Sequence, residues 1–151
     1  MGLFCLGLSM SKYSKTSSQR LASCHPDLQL IFNEAIKFVD CSIFCGHRKE
    51  KEQNEAFFND LSKLAWPESK HNRSPSMAVD AGPYFTDLKN TDWADHLAFA
   101  KFAGVVQVIA VQLLKQGFIT HRVRWGGDWD SDGRSNDETF RDLPHFELIP
   151  A

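Results

Sequence analysis

The chain has 151 residues, of which 42% are hydrophobic and 24% charged, as expected for one globular domain. Its formal net charge of −2 lacks the basic excess that general nucleic-acid binders carry, so no nucleic-acid partner is expected. The near-neutral balance also provides no overall attraction to anionic membranes or envelopes, so any substrate must be held by a local site.

Residues 1–13 are predicted to form a disordered or alternative-start extension, ahead of a single domain over residues 14–151. The opening segment MGLFCLGLS is apolar but lacks the basic region and cleavage site of a secretory signal, so no signal peptide is predicted. Met10 is an alternative start, because a polar stretch follows it. Met1-Gly2 also permits a myristoylation reading, which the sequence leaves open.

The cysteines are interpreted as reduced and structural, in agreement with synthesis in the cytoplasm. They stand at Cys5, Cys24, Cys41 and Cys45. The last two lie in an apolar, strand-like run, and their CxxxC spacing has no matching Cys or His pair. That spacing alone is therefore a weak zinc signal.

The first half of the chain predicts three helices and one strand. A short helix ends near Ala22, and apolar residues at helical spacing predict a second helix over residues 25–40. The run CSIFCGHR, residues 41–48, predicts a buried strand that ends at a glycine turn. Residues 49–66 are predicted to be helical again.

The second half predicts one long helix among short strands. In chain order we expect a polar loop over 67–76, a strand over 77–84, a helix from Trp93 to Gln116 ended by Gly117, a strand over 123–127, an acidic loop over 128–138 and a final strand over 145–149. The uninterrupted apolar stretch of the long helix is too short for a membrane span, so no stable membrane insertion is expected. This order predicts an α+β fold, with helices packed on a small antiparallel sheet.

Three residues have the types and surroundings of an open zinc site. His71 and Asp80 are nine residues apart, and His145 follows Asp142 by three. Two imidazoles and one carboxylate would leave a fourth tetrahedral position for water, the arrangement of hydrolytic zinc sites. The alternatives are a turn cap for Asp80 and a half-exposed strand histidine for His145. The other histidines that match no ligand position are interpreted as non-ligating: His25, His47, His96 and His121.

The stretch SKHNRSPSMAVDAGPYF, followed by WGGDWDSDG and DLPHFEL, resembles the zinc peptidases that include D-alanyl-D-alanine carboxypeptidases and phage L-alanyl-D-glutamate endolysins. The resemblance is strongest to the endolysin branch and runs from about Ser14 to Leu148. The wider family often places its first two ligands seven residues apart with a glycine between them. Here the step is nine and the glycine is missing, which we interpret as a longer loop. The resemblance implies a fold like that of the Hedgehog and DD-peptidase proteins.

The resemblance also implies roles for residues near the ligands. Asp142 corresponds to the family's catalytic carboxylate, which exchanges a proton between water and the leaving amine; its alternative is a turn residue before Pro144. Arg48 corresponds to an arginine that binds or polarises substrate, with a structural salt bridge as the alternative. Gln53, about one helical turn later, is a further substrate-binding candidate. Ser69 is expected either to hydrogen-bond substrate or to orient its loop.

The segment Trp125-Gly126-Gly127-Asp128-Trp129 mixes aromatic residues and glycines, a combination that suits a glycan-peptide groove. Trp129 is the stronger candidate for substrate contact, whereas Trp125 fits a packed strand and turn at least as well.

The acidic loop has the opening spacing of an EF-hand, with a closing carboxylate one position early and no paired helices. We therefore consider a calcium site that would order the loop and position Asp142 and His145; the alternative is a solvated loop. The candidate ligands are Asp128, Asp130, Asp132, Asn136 and Glu138.

Together these features predict a monomeric zinc peptidase that hydrolyses the peptide stem of bacterial peptidoglycan as a phage or prophage lysin, with the L-alanyl-D-glutamate bond as the expected target. The chain would be made in the host cytoplasm and reach the wall through a holin or cell rupture. The alternatives are a D-alanyl-D-alanine carboxypeptidase and a non-catalytic wall- or metal-binding protein of the same fold.

Overall fold

The structure is a computed structural model that describes residues 11–151. Its elements, in chain order, are α1 (Lys15–Ala22), α2 (Pro26–Ala35), β1 (Cys41–Cys45), α3 (Glu50–Phe58), a 3₁₀ turn (Lys70–Asn72), β2 (Ala78–Pro83), α4 (His96–Lys115), β3 (His121–Trp125) and β4 (His145–Pro150). The predictions for Cys5, for the Met10 start, for myristoylation and for most of the extension concern positions outside the described residues.

The four strands form one sheet in the order β1-β2-β4-β3, and all neighbours are antiparallel. Helices pack against this sheet, so the predicted α+β architecture is confirmed. In the central pair, β2 and β4, Asp80 lies directly opposite His145. This register brings residues 65 positions apart in the chain to the same place on the sheet.

Strand alternation separates the core from the opposite face of the sheet. Val79 on β2 and Phe146 on β4 point into the core, where the Phe146 ring packs at 5.5 Å from the ring of Phe32 on α2 and at 5.9 Å from that of Phe102 on α4. Their strand neighbours Asp80 and His145 therefore emerge on the other side. One face of the sheet builds the core, and the other is available for polar chemistry.

Residues at the helix termini explain where α2 begins and where α4 begins and ends. Pro26 occupies the first turn of α2, where its fixed φ fits and its missing N–H costs nothing. The Asp95 carboxylate accepts a hydrogen bond from the Ala98 N–H at 3.0 Å and caps α4. Gly117, at φ +77°, lies two residues after the end of α4 and adopts the left-handed conformation that favours glycine.

Three predicted helix boundaries differ from the observed ones. α3 ends at Phe58 and not near residue 66, because Asp60 adopts φ +56° and turns the chain out of the helix. α2 ends at Ala35, after which the chain tightens into turns up to β1. α4 begins at His96 rather than Trp93, since Asp95 is its cap.

Tyr13 belongs to the packed domain, although the sequence assigned it to the extension. Its ring packs against the core, and its hydroxyl donates to the Phe32 carbonyl at 2.7 Å. Cys24, Cys41 and Cys45 are free thiols, as predicted. Burial raises the pKa of Cys24 and of Cys41 to about 12, so both remain protonated and unreactive at neutral pH.

By length and mean hydropathy α4 could cross a membrane, contrary to the expectation from its uninterrupted apolar run. One such helix is weak evidence, because the central helix of a folded domain passes the same test. α4 contributes Phe99, Phe102 and Val106 to the buried interior. The absence of stable membrane insertion stays a prediction.

Candidate active site

Three side-chain atoms converge on the polar face of the sheet. The His71 Nε2 lies 3.1 Å from Asp80 Oδ1 and 3.3 Å from His145 Nδ1, and the last two atoms are 3.2 Å apart. We call His71, Asp80 and His145 the central cluster. Ligand atoms that share a tetrahedral zinc ion at bonds of 2.0–2.1 Å are separated by about 3.3 Å. The central cluster thus has the donor types and spacing of a zinc site.

Each member of the central cluster comes from a different element. Asp80 and His145 face each other across the β2–β4 pair, and His71 lies in the 3₁₀ turn. That turn is capped by Ser69, whose hydroxyl accepts from the His71 N–H at 3.2 Å. Ser69 is only 6% exposed, which supports the loop-orienting alternative over contact with substrate.

The outward atoms of the central cluster are held by other protein groups. His71 Nδ1 lies 2.7 Å from the Gly46 carbonyl and donates to it. His145 Nε2 donates to the Glu147 carboxylate at 3.1 Å. With the outward nitrogens acting as donors, the neutral form of each ring has its lone pair on the inward nitrogen, the orientation that such partners give to metal-bound histidines. Asp80 is held similarly, because its Oδ2 accepts from the Arg48 guanidinium at 3.2 Å.

Inward-pointing acceptors cannot satisfy one another, and the site therefore attracts positive charge. Burial disfavours the imidazolium form, but the Asp80 carboxylate outweighs burial and raises the pKa of His71 to about 10. The pKa of His145 is also raised, since its hydrogen bonds to the Asp80 and Glu147 carboxylates outweigh the effect of burial. Burial opposes the ionisation of Asp80, but the two histidines outweigh this effect and hold the pKa of Asp80 well below its usual range. A divalent cation would replace these protons.

Glu147 contacts the central cluster, and the sequence analysis did not single it out. It is 6% exposed and forms ion pairs with Arg124 and with Lys70, the latter at 3.3 Å, besides orienting His145. Burial opposes its ionisation, but the hydrogen bonds from His145 and Arg124 lower its pKa to about 2. The signal was present, because Glu147 and His145 are two apart on one strand and share a face.

Cys45 is a second residue that the sequence did not connect to the site. It pairs with Asp80 across β1 and β2, and its Sγ lies within 4.8 Å of the ligand atoms of His71 and Asp80. Only the strand pairing places it there. Its sulfur is a further metal-type donor at the rim of the central cluster.

Asp142 stands beside the central cluster, three residues before His145. Its backbone is locked to Gly126, since the Asp142 N–H donates to the Gly126 carbonyl at 2.7 Å and the Gly126 N–H donates to the His145 carbonyl at 2.8 Å. A Cβ on residue 126 would lie 2.3 Å from the Asp142 carbonyl oxygen, so this approach requires glycine. Burial and the nearby Asp80 charge raise the pKa of Asp142 above its usual range, which suits a group that accepts and returns a proton.

Arg48 and Gln53 form one support for the central cluster. One arm of the Arg48 guanidinium contacts Asp80, and the other donates to Gln53 Oε1 at 3.1 Å. Gln53 is completely buried, and its amide nitrogen donates to the Ser62 hydroxyl and the Leu64 carbonyl. A fully enclosed amide with these partners positions Arg48 rather than contacting substrate, which differs from the role predicted for Gln53.

The aromatic and glycine segment packs more tightly than expected. Trp125 is buried, with its indole N–H donating to the Leu143 carbonyl at 2.7 Å, and Gly126 and Gly127 are buried as well. The glycines thus permit close packing and do not expose backbone to a glycan. Trp129 is different, because its ring lies 5.5 Å from that of His145 and stacks on Phe140. It forms one wall of the site.

The acidic loop brings three of its five candidate ligands together. Carboxylate oxygens of Asp128, Asp130 and Asp132 lie within 4.8 Å of one another. Asp128 accepts from two loop N–H groups, those of Asp132 and Gly133. Glu138 instead accepts from the Trp129 N–H at 2.5 Å, which ties the loop to the wall of the active site.

An open groove of about 680 Å³ runs past Asp142. Apolar and aromatic side chains line it, together with one cation: Trp93, Leu97, Phe99, Leu143 and Arg141. A substrate in this groove would pass directly beside the candidate proton carrier.

Comparison with known proteins agrees with this geometry. The sequence model of the family described as phage L-alanyl-D-glutamate peptidase matches residues 9–149. The L-alanyl-D-glutamate peptidase of Escherichia phage T5 is 31% identical over 143 residues, covering 91% of this chain and 98% of that protein. The crystal structure of the Serratia marcescens L-Ala D-Glu endopeptidase ChiX matches with a TM-score of 0.69 and 25% identity, covering 93% of this chain and 92% of the other. The chain therefore belongs to the family of phage L-alanyl-D-glutamate peptidases.

Proposed function

We propose that the protein is a zinc-dependent endopeptidase that cleaves the L-alanyl-D-glutamate bond in the peptide stem of bacterial peptidoglycan. The observation that carries the proposal is the central cluster, whose three inward atoms are 3.1–3.3 Å apart, with Asp142 beside it. The names of the two relatives support the choice of bond.

His71, Asp80 and His145 would hold the metal ion. Zinc supplies Lewis acidity, which polarises a peptide carbonyl and makes water acidic enough to attack near neutral pH. We assign proton transfer to Asp142, which takes a proton from the attacking water and delivers it to the amine of the D-glutamate residue as the C–N bond breaks. Its raised pKa favours both halves of this exchange.

We assign Arg48 two tasks. One arm steadies Asp80, and the remaining donors of its five-donor guanidinium face the developing negative charge or a substrate carboxylate. The side chain is 17% exposed, so part of it is accessible from the site. The peptide stem would lie in the groove beside Asp142, with Arg141 available to its acidic groups. Trp129 would flank the metal-binding residues through its contact with the His145 ring.

The deciding experiment is digestion of purified peptidoglycan by zinc-loaded protein, with mass spectrometry of the products. Cleavage between L-Ala and D-Glu supports the proposal. Release of D-Ala alone would show a carboxypeptidase and overturn the proposed specificity. Zinc binding without any cleavage would show a binding protein that keeps the fold and overturn the proposed activity.

The Asp142→Asn variant separates proton transfer from metal binding, because the amide retains the shape but not the basicity. We expect zinc binding to remain and kcat to fall about 10²–10⁴-fold, the usual contribution of a general acid–base. Asp87→Asn, an exposed carboxylate that belongs neither to the central cluster nor to the lining of the groove, is the matched control and should leave kcat unchanged. Full activity of Asp142→Asn would remove Asp142 from the mechanism.

We further propose that Ca²⁺ binds the acidic loop through Asp128, Asp130, Asp132, Asn136 and Glu138. Clustered carboxylates are the ligands that Ca²⁺ prefers. Through the Glu138–Trp129 contact, an ordered loop would steady the wall next to His145. Calorimetry on the zinc-loaded protein tests this idea: an Asp130→Asn/Asp132→Asn variant should lose the calcium heat, and no heat from the wild type at millimolar Ca²⁺ would refute the site.

We propose that the enzyme acts as a monomeric lysin, without stable membrane insertion, on walls that it reaches after a holin or cell rupture releases it. Sedimentation analysis checks the oligomeric state. Added from outside, the protein should lyse cells only where the peptidoglycan is accessible.

A further inference from the structure

We propose a second metal site, formed by His25, Asp27 and His121, that holds a zinc-like divalent ion and links α2 to β3, whereas the sequence alone led us to interpret both histidines as non-ligating. We call these residues the edge cluster. They have one ligand atom each within 4.8 Å of the others. Histidine nitrogens combined with a carboxylate favour zinc and neighbouring transition metals over calcium or magnesium.

The edge cluster is remote from the central cluster. His121 opens β3, an edge strand of the sheet, and pairs with Pro150 at the far end of β4. His145 lies five residues back along β4, about 16 Å away at the usual rise per strand residue. An ion at the edge cluster would therefore not occupy the catalytic position.

The distances within the edge cluster fit a metal after a small adjustment. Asp27 Oδ2 is 2.8 Å from His121 Nδ1, and Asp27 Oδ1 is 3.8 Å from His25 Nδ1. The separation expected for tetrahedral zinc ligands, about 3.3 Å, lies between these values. The two imidazole rings meet edge-on, with centroids 4.9 Å apart. His25 Nδ1 also accepts the Asp27 N–H at 3.1 Å as the cap of α2, so an ion at the edge cluster would take this lone pair from the cap.

The carboxylate at the centre is held in place before any ion arrives. Asp27 Oδ2 accepts from the backbone N–H groups of Thr120 and His121 and from the Thr120 hydroxyl. The side chain of Asp27 is 10% exposed, whereas those of His25 and His121 are 25% and 26% exposed. A fixed ligand flanked by two accessible imidazoles gives an ion a route in and leaves room for water to complete its coordination.

The site would act as a structural clip. Residues 27 and 121 are 94 positions apart, and the Asp27–His121 contact joins the first turn of α2 to the start of β3. An ion that binds this folded arrangement and not the unfolded chain stabilises the fold by mass action. The alternative is that the hydrogen bond between Asp27 and His121 joins α2 to β3 without a metal ion.

Zinc stoichiometry in dialysed, full-length protein tests the proposal. We expect two equivalents in the wild type, one in His71→Ala/His145→Ala, one in His25→Gln/His121→Gln and none when all four substitutions are combined. Zinc should still raise the Tm of His71→Ala/His145→Ala, because the edge cluster is intact in that variant. Adding His25→Gln/His121→Gln should abolish this remaining rise in Tm. Peptidoglycan cleavage by His25→Gln/His121→Gln should remain within about twofold of wild type, since the catalytic ligands are untouched.

One equivalent in the wild type and none in His71→Ala/His145→Ala would overturn the second site and leave the proposed catalytic zinc intact. A second equivalent that survives in His25→Gln/His121→Gln would also overturn it, by placing that ion elsewhere. If His25→Gln/His121→Gln fails to fold, the single variant His25→Gln decides. It retains the Asp27–His121 hydrogen bonds and should still bind one equivalent of zinc fewer than the wild type.

Discussion

Two groups of two histidines and one aspartate lie on opposite parts of the sheet, and their atoms are arranged differently. In the central cluster, other groups hold the outward atoms, and the three inward atoms converge on one point, where Asp80 favours positive charge carried by protons or by a metal ion. In the edge cluster, the Asp27 carboxylate already accepts hydrogen bonds from backbone N–H groups, so only some of its lone pairs are available to the imidazoles. Residue types alone do not define a catalytic centre. The direction of the lone pairs, set by the outer contacts, separates the two clusters.

The sharpest contrast compares one histidine from each cluster. His145→Ala should abolish both cleavage and central zinc binding, because it removes one of the three ligand atoms that converge in the central cluster. His121→Ala should leave cleavage within about twofold, because it lies one strand length away. Digestion assays beside circular dichroism, which controls for folding, check both. Comparable losses from the two substitutions would contradict the assignment.

A weaker perturbation of the central cluster comes from Glu147→Gln. The amide still fits but loses the charge that orients His145 and balances Arg124 and Lys70. We expect a loss of about 10–100-fold in zinc affinity or activity, as for other carboxylates behind a metal-bound histidine. Competition with a chelator measures the affinity. An unchanged zinc affinity and activity would mean that His145 does not need this partner.

Gly126→Ala tests whether backbone contact places Asp142. The added methyl would lie 2.3 Å from the Asp142 carbonyl oxygen, so the 126–142 pair must move apart. We expect a stability loss of about 1–3 kcal/mol and a fall in kcat with little change in zinc affinity. Gly104→Ala, where the new methyl meets open space on α4, is the control for adding a methyl group. Equal effects of the two variants would refute the positioning role.

The smallest expected effect concerns the edge cluster in the absence of metal. Burial opposes ionisation of Asp27, but the hydrogen bonds from His121 and Thr120 outweigh it and lower the pKa of Asp27 below its usual value. The folded state thus favours the carboxylate, and this contribution is full above the unfolded pKa of about 3.9 and lost as the pH falls through the lower folded pKa. Asp27→Asn should cost about 1–2 kcal/mol at neutral pH.

That cost should shrink below about pH 4, when the wild-type carboxylate also becomes protonated. Denaturant unfolding from pH 7 to pH 3, with chelator present, measures the difference. A gap between wild type and Asp27→Asn that is constant with pH would show that the charge on Asp27 does not stabilise the fold. Peptidoglycan cleavage at neutral pH is the control and should be unaffected.

Much of the fold could be predicted because each element carries local signals. Apolar spacing indicated the helices, and the run at residues 145–149 indicated the final strand, in which alternation places Phe146 in the core and His145 on the opposite face. The end of α3 could not be predicted, because it depends on Asp60 adopting a left-handed conformation that no residue type there requires. The roles of Gln53 and Gly126 also escaped prediction, since both depend on which distant groups surround them.

The sequence by itself determined the α+β class, the family and the identities of the candidate zinc ligands, because these depend on residue types, local periodicity and motif spacing. Only the tertiary structure decided which atoms meet. The pairing of β2 with β4 sets Asp80 against His145, Glu147 and Gly46 fix the directions of the imidazoles, and α2 approaches β3 closely enough to join His25 to His121. Such contacts depend on packing between segments far apart in the chain, and no local pattern encodes their distances.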